Sequence, residues 1–189
     1  MIKFSCEKVF LQNAIAVTSR AVAQKSSIPA LEGLLIHADQ QLTISGYNMQ
    51  TGIRTNVFAN VVEGGDIVLN ARLFGDIIRR MPDDMITFTA DEKMMVHVSC
   101  GDADFDILGL SAADYPELPE VEDEYAVSMK QSVLRRMIEE VAFAVSTNES
   151  RPVHTGALFE IENMCLNMVA VDGFRLAFRR EKLEKLDGV

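Results

Sequence analysis

Cysteine is scarce in this sequence, and where it sits excludes more than its number does. Cys6, Cys100 and Cys165 are odd in number, far apart and free of any Cys-x-x-Cys or Cys/His grouping, so they offer neither a disulfide framework nor a structural zinc site. Long apolar runs are missing too. No stretch approaches the roughly 20 residues that a membrane-crossing helix requires, and the start Met1-Ile2-Lys3-Phe4 lacks the charged and long apolar regions of a secretion signal. The expectation is a cytoplasmic protein with no membrane partner. Absent as well are Gly-x-Ser-x-Gly, the Gly-x4-Gly-Lys-Ser/Thr phosphate loop and His-Glu-x-x-His. Cations are outnumbered, 18 Lys and Arg against 28 Asp and Glu. The resulting net charge of −10 argues against a protein that grips nucleic acid with its whole surface, but it leaves room for a locally basic face.

What is present is an ordinary soluble composition, 48% hydrophobic and 24% charged over 189 residues, enough for one domain or one and a half with a real core. Residues 2–5 read as a short strand, and Val9, Leu11, Ala14, Ile15, Val17 and Thr18 fall on one face of a helix. The period then drops to two, giving strands at 33–37, 42–45 and 53–58. The same order recurs. A strand at 66–69 leads to Asn70, which can cap a helix over 71–81 carrying Leu73, Phe74, Ile77 and Ile78, and strands follow at 85–89, 94–99 and 105–108. Residues 111–120 are rich in Pro and acidic residues and have no period, as an extended connection would. A third copy of the unit then spans a strand at 125–129, a helix at about 130–144 and strands at 155–161, 165–171 and 174–180. The expected fold is α+β, built from repeated β-α-β-β-β units with helices on one face and antiparallel sheets on the other. The expected parts are a first domain at 1–118, a linker at 119–124 and the first half of a second domain at 125–189.

The third unit repeats the first in sequence as well as in order. At a spacing of 123, Pro29 falls on Pro152, Gly33 on Gly156, Phe4 on Val127, Leu11 on Leu134, Ile15 on Ile138, Val22 on Val145 and Leu35 on Leu158. A second half of that domain is expected to begin at Leu186-Asp187-Gly188-Val189, so the chain reads as a fragment of something longer. The charges divide by element: residues 7–25 and 71–81 carry +2 each and 130–142 carry +1, which leaves −15 for the strands and loops. Three such helices on one face could lie against phosphates without reading sequence.

Three segments then carry a resemblance: Glu149-Ser150-Arg151-Pro152, Gly156-Ala157-Leu158-Phe159-Glu160 and Val171-Asp172-Gly173-Phe174-Arg175-Leu176-Ala177. They resemble the second domain of bacterial sliding clamps, the beta subunit of DNA polymerase III. Ile28-Pro29-Ala30-Leu31-Glu32-Gly33-Leu34-Leu35, Asn70-Ala71-Arg72-Leu73-Phe74 and Leu110-Ser111-Ala112-Ala113-Asp114-Tyr115-Pro116 are similar to segments of the first domain. The resemblance implies a non-catalytic ring of two three-domain subunits that encircles duplex DNA and tethers the polymerase, without cofactor or metal. On this resemblance the third domain is expected to be absent from this chain. Matching positions imply DNA-facing Arg20, Lys25, Arg79, Arg80, Lys130, Arg135, Arg136 and Arg151. A groove for apolar-tipped peptides of the polymerase III catalytic subunit, the clamp loader and repair polymerases falls on His154, Val171, Gly173, Phe174, Arg175 and Leu176. Here His154 stands where the family usually has leucine, which makes the groove more polar. The first-domain side of the subunit interface falls on Arg72, Leu73, Ile77, Phe105 and Ile107, with its apolar residues left exposed. Two copies of this fragment are expected to pair through the open edge of the third unit.

Two other classes compete. An enzyme could be assembled from Cys100, Cys165, His37, His97, His154 and Asp172, but their spacing gives it no support. A peptide-binding module that never closes on DNA would keep the groove and have no use for the helix cations.

Overall fold

The computed structural model describes residues 1–120 and 127–186. The chain divides into two compact units, Met1–Pro119 and Glu120–Val189. The first contains β1 (Ile2–Glu7), α1 (Lys8–Thr18), β2 (Gly33–Ala38), β3 (Leu42–Tyr47), β4 (Gly52–Val57), β5 (Asn60–Glu63), β6 (Gly65–Asn70), α2 (Ala71–Arg80), β7 (Met85–Ala90), β8 (Met95–Cys100) and β9 (Ala103–Leu108). Each helix follows from local chemistry. α1 buries Leu11, Ala14, Ile15 and Thr18, a stripe of helical spacing. α2 starts where the Asn70 side chain accepts a hydrogen bond from the Leu73 amide, and it ends in Arg79 and Arg80, whose charges suit the negative end of the helix dipole.

The two halves of this unit exchange strands. Its sheets run β5-β1-β7-β8-β9 and β4-β3-β2-β6, so β1 of the first half is built into the sheet of the second, and β6 of the second into the sheet of the first. β1 pairs antiparallel with β7, Phe4 opposite Phe88, and the two rings stack with centroids 4.5 Å apart. β6 pairs antiparallel with β2, Ile67 opposite Ile36. Phe74 of α2 meets the edge of the Phe88 ring, so helix and sheet share one continuous core. α1 lies against β3 and β4, and α2 against β2 and β6.

β5 is an addition to the sequence reading, which had three strands after each helix. Asn60–Glu63 alternates too weakly and buries too little to announce itself, and it becomes a strand by pairing with β1. Two residues also sit otherwise than expected. Lys8 was counted among the helix cations, yet it is buried, and its Nζ lies 2.7 Å from Asp83 Oδ1. Ile107 was expected on an exposed interface. It is only 5% exposed, because its register opposite Val96 turns it into the core, whereas Phe105 keeps a solvent-facing surface.

The second unit contains β10 (Val127–Ser128), α3 (Gln131–Val141), β11 (Leu158–Glu162), β12 (Cys165–Val171), β13 (Leu176–Lys182) and β14 (Lys185–Leu186). Short 3₁₀ turns at Ala142–Ala144 and Pro152–Thr155 lie between α3 and β11. Residues 121–126 of the expected linker and strand lie outside the described residues. β11, β12 and β13 form one antiparallel sheet, and β10 pairs with β14. The spacing of 123 maps α1 onto α3 residue for residue, and 60–63 onto 183–186. Lys185–Leu186 therefore plays the part of β5, closing the half that β10 opened, and the rest of the expected start of a new half, residues 187–189, lies outside the described residues. Met137, Val141, Leu166, Met168 and Ala170 form this unit's own core. Arg136 to Glu181 (3.0 Å) and Arg179 to Glu140 (2.9 Å) tie α3 to β13.

Candidate functional site

The expected DNA-facing cations are all exposed, and they fall into two kinds. Arg79 is paired with Asp76 on its own helix, Arg135 with Glu139 one turn on (2.9 Å), Arg136 with Glu181 (3.0 Å) and Lys130 with Glu184 (3.6 Å). Arg20, Lys25, Arg80 and Arg151 have no carboxylate within ion-pair distance among the described residues. Exposed pairs of this type each contribute about 0–1 kcal/mol, so a phosphate can displace the carboxylate at little cost. Half the cations are thus already balanced within the chain, which leaves a weak electrostatic surface.

In the first unit, α1 and α2 run close enough that a Cβ on Gly75 would stand 3.3 Å from Ile15 Cγ2. The absence of a side chain at position 75 is what admits Ile15. A cleft of about 260 Å³ lies between the two helices, bordered by Gln12, Ile15, Gly75 and, on α2, Arg72 and Arg79. Arg72, assigned from the sequence to the subunit interface with Leu73, thus shares this cleft with Arg79. Leu73 is exposed, and Ile77 is partly buried against the core.

The groove residues centre on the connection from β12 to β13. Asp172 organises it. One carboxylate oxygen accepts from the amides of Phe174 (2.9 Å) and Arg175 (2.8 Å), and the other from Arg175 Nε (2.8 Å) and Nη2 (2.6 Å). These backbone amides first, and the Arg175 guanidinium next, hold the Asp172 carboxyl down at about 2. Gly173 has φ +93° with open space around its Cβ position, so the residue is needed for its left-handed backbone. The turn holds Phe174 almost entirely in solvent, 98% exposed. Val171 and Leu176 pair directly across the strands, Val171 partly buried and Leu176 exposed. His154 is half-buried on the 3₁₀ turn, where its carbonyl accepts from the Ser146 amide (2.9 Å) and its amide donates to the Arg151 carbonyl (2.9 Å), tethering the loop that carries both side chains.

One neighbour escaped the sequence reading. The Phe143 ring lies 6.0 Å from the Arg175 guanidinium, and both Phe143 and Val153 are exposed beside the motif residues in sequence or space. No period marks Phe143, since at the spacing of 123 it corresponds to Arg20; only an aromatic residue left exposed after a helix could have signalled it. The enzyme candidates do not assemble. His37 pairs with Asp66 across β2 and β6, His97 lies 2.9 Å from Asp106 and 3.3 Å from Asp104 across β8 and β9, and Cys100 is buried against the Pro82 carbonyl. Among the described residues no group of three or more His, Cys, Asp or Glu could hold a metal ion, and no helix is long and apolar enough to cross a membrane.

Comparison with known proteins gives one consistent result. Residues 2–119 match the family described as DNA polymerase III beta subunit, N-terminal domain, and residues 128–188 match its central domain. The beta sliding clamp of Halalkalibacterium halodurans is 35% identical over 190 residues, covering 95% of this chain and 49% of the relative, and that of Bacillus subtilis is 29% identical over 192 residues, covering 97% and 51%. Among solved structures, a putative DNA polymerase III beta subunit from Eubacterium rectale superposes with a TM-score of 0.93 at 31% identity, covering 98% of this chain and 51% of that one. The DNA polymerase sliding clamp from Bacillus subtilis gives 0.92 at 30% identity, covering 97% and 51%. The chain spans about half the length of the relatives it matches.

Proposed function

Because the chain belongs to the DNA polymerase III beta subunit family, the bacterial beta sliding clamps, we propose that it supplies part of a ring that encircles duplex DNA and tethers the replicative polymerase during DNA replication. The observation that carries this reading is the cation pattern. Arg20, Lys25, Arg79, Arg80, Lys130, Arg135, Arg136 and Arg151 are exposed, and half of them are lightly balanced by carboxylates of the same chain. A sliding ring needs contacts of that kind, strong enough to centre the duplex, too weak to hold one position and blind to base sequence. The role is accessory and non-catalytic, exercised in the cytoplasm without cofactor or metal.

Val171, Gly173, Phe174, Arg175 and Leu176, with His154 at the rim, form one side of the groove for apolar-tipped partner peptides of the polymerase III catalytic subunit, the clamp loader and repair polymerases. Phe174 and Leu176 supply apolar contact, and the Asp172 carboxylate fixes the turn that presents them. Phe105, Leu73, Ile77 and Arg72 serve the contact with a second subunit in the homodimeric ring. The chain also self-associates through the open edge of its third repeat.

The test is a chimera in which residues 1–186 replace their counterparts in the Bacillus subtilis clamp. Replacing Arg79, Arg80, Arg135 and Arg136 by alanine is expected to impair loading on DNA and to leave peptide binding nearly unchanged. If loading survives at full rate, the DNA reading fails and the alternative remains, a peptide-binding module without DNA encirclement, which the exposure of Phe174 and Leu176 would still support.

A further inference from the structure

The first unit holds a filled counterpart of the groove residues of the second. Leu31 on the 3₁₀ turn Pro29–Glu32 corresponds to His154 on Pro152–Thr155 at the spacing of 123. The turn between β11 and β12 is one residue longer than that between β2 and β3, since Ala38 pairs with Leu42 and Ile161 with Leu166. Within the hairpins that follow, the spacing is therefore 124, and Tyr47 opposite Gly52 answers to Val171 opposite Leu176. The two turns agree in detail. Asn48 accepts from the amides of Gln50 (3.0 Å) and Thr51 (2.7 Å) as Asp172 does from those of Phe174 and Arg175, and Met49 (φ +71°) takes the left-handed place of Gly173.

In the first unit these positions are covered by the chain itself. Leu110 is bridged to Val68 of β6 through two backbone hydrogen bonds (2.8 and 3.0 Å), and residues 111–118 then run across to β4. Tyr115 is buried with Leu31, Tyr47 and Val68, and its hydroxyl donates to the Ser45 carbonyl (3.4 Å). Leu118 lies over Gly52, where a Cβ would stand 2.9 Å from Leu118 Cδ2. The bare backbone at position 52 is what seats it. Side-chain burial holds the segment. Beyond Leu110 its own backbone hydrogen bonds, among the described residues, stay inside it, from the Tyr115 amide to the Ala112 carbonyl (3.0 Å) and from the Ala113 amide to Ser111 Oγ (3.2 Å). A tethered ligand of this kind faces its site at an effective concentration in the millimolar range, so even a weak contact stays closed against a free competitor.

We propose that the first unit carries a second peptide site, bordered by Leu31, Ser45, Tyr47 and Gly52, whose resident ligand is this chain's own segment 112–118. Once that segment is displaced, the site takes an extended peptide bearing an aromatic residue followed three positions later by leucine. The aromatic ring fills the place of Tyr115, and the leucine sits over Gly52. The equivalence to a groove rests on the peptide-binding reading above; the site itself rests on the seating of Tyr115 and Leu118.

The probe is a fluorescent synthetic peptide with the sequence of residues 111–118, and the protein is the full 189-residue chain. Tyr115→Ser combined with Leu118→Ser empties the site. This variant is expected to bind the peptide saturably, with amide shifts at residues 31, 45, 47 and 52, and at least about tenfold more tightly than the wild type does there, where the tethered segment competes. Adding Gly52→Leu, which gives position 52 the side chain found at 176, is expected to abolish that binding. In an otherwise wild-type chain Gly52→Leu is expected to unseat Leu118, read as faster exchange of the Leu110 and Tyr115 amides while those of β1 and β7 stay protected. Absence of peptide binding to a folded emptied variant overturns the proposal, as does binding that survives Gly52→Leu or that shifts only residues 154–176. If the emptied variant does not fold, Gly52→Leu alone decides: unchanged exchange in the segment overturns the proposal. Shifts at residues 154 and 171–176 of the wild type with the same peptide test the groove reading separately, so its failure and the failure of this inference are told apart.

Discussion

Residues 1–63 and 127–186 are two versions of one repeat, and they differ chiefly in what lies beside them. The first is completed by residues 65–108: β7 seals β1, β6 seals β2, and Gly75 of α2 receives Ile15. The second keeps the same helix in the same place and the same strand order, yet Ile138 and Phe159 face solvent. The comparison separates two jobs that an apolar residue can do. In Leu166, Met168 and Ala170 of β12, apolarity builds the core that its own repeat can close. In Phe159 and Ile138 it makes a surface that the described residues of this unit leave exposed. Burial here belongs to the pairing of two halves as much as to the half that carries the residue.

The largest effect that would break the comparison is a truncation at matched positions. Phe88→Ala removes a ring packed on both Phe4 and Phe74 and is expected to cost the first unit about 3–5 kcal/mol. Phe159→Ala, made on the monomer, is expected to cost the second unit less than about 1 kcal/mol because its ring is already half in water. Denaturant titration followed by amide signals from each unit measures both, and equal costs would refute the idea that only the first repeat is completed. Next in size is local opening. Amides of β1 and β2 are expected to exchange only with global unfolding of their unit, while those on the outer side of β11 exchange within the native state.

A smaller difference concerns how the helices begin. Asn70→Ala removes the cap on the Leu73 amide and is expected to destabilise the first unit by about 1 kcal/mol. Lys130 precedes α3 without a side-chain cap, so Lys130→Ala is expected to change the second unit by a few tenths at most, and thermal melts of the two variants order them. The smallest effects are those of pH, and they run in opposite directions. The pKa of His97 is raised, by its hydrogen bond to Asp106 first and by the Asp106 and Asp104 charges. Its contribution is complete below the ordinary histidine value and is lost as pH rises through the folded value. Asp172 is depressed to about 2, so the 172–175 turn keeps its contribution above about pH 4 and loses it as pH falls toward 2. Carboxyl and imidazole shifts followed by NMR should show the two transitions, and a turn that opens at pH 5 would remove Asp172 as its organiser.

Much of the fold was legible because its signals are local. The 3.6-residue stripe of α1, the Asn70 cap and the two-residue alternation of β2 and β8 each depend on a few neighbours. The 123-residue repeat supported a helix at about 130–144, where α3 runs over Gln131–Val141. Misreadings arose where the deciding partner lies far along the chain. Asn60–Glu63 is a strand because β1 stands beside it, Lys8 is buried because Asp83 and Asp84 meet it, and Ile107 turns inward because Val96 sets its register. In the candidate site, Asp172-Gly173-Phe174-Arg175 was read from its residues, whereas Phe143 entered only through its distance to Arg175.

The sequence by itself determined the helices and all the strands of the first unit but β5, that one β-α-β-β-β order is used three times, and which family the chain resembles, because periodicity, capping and repetition are properties of neighbouring residues. Only the tertiary structure decided that halves exchange their first strands, which cations are already balanced and which apolar residues are covered. Those outcomes depend on contacts between residues up to 88 positions apart, as from Ile2 opposite Ala90, and a local pattern specifies which side of a strand is apolar without specifying what will lie against it.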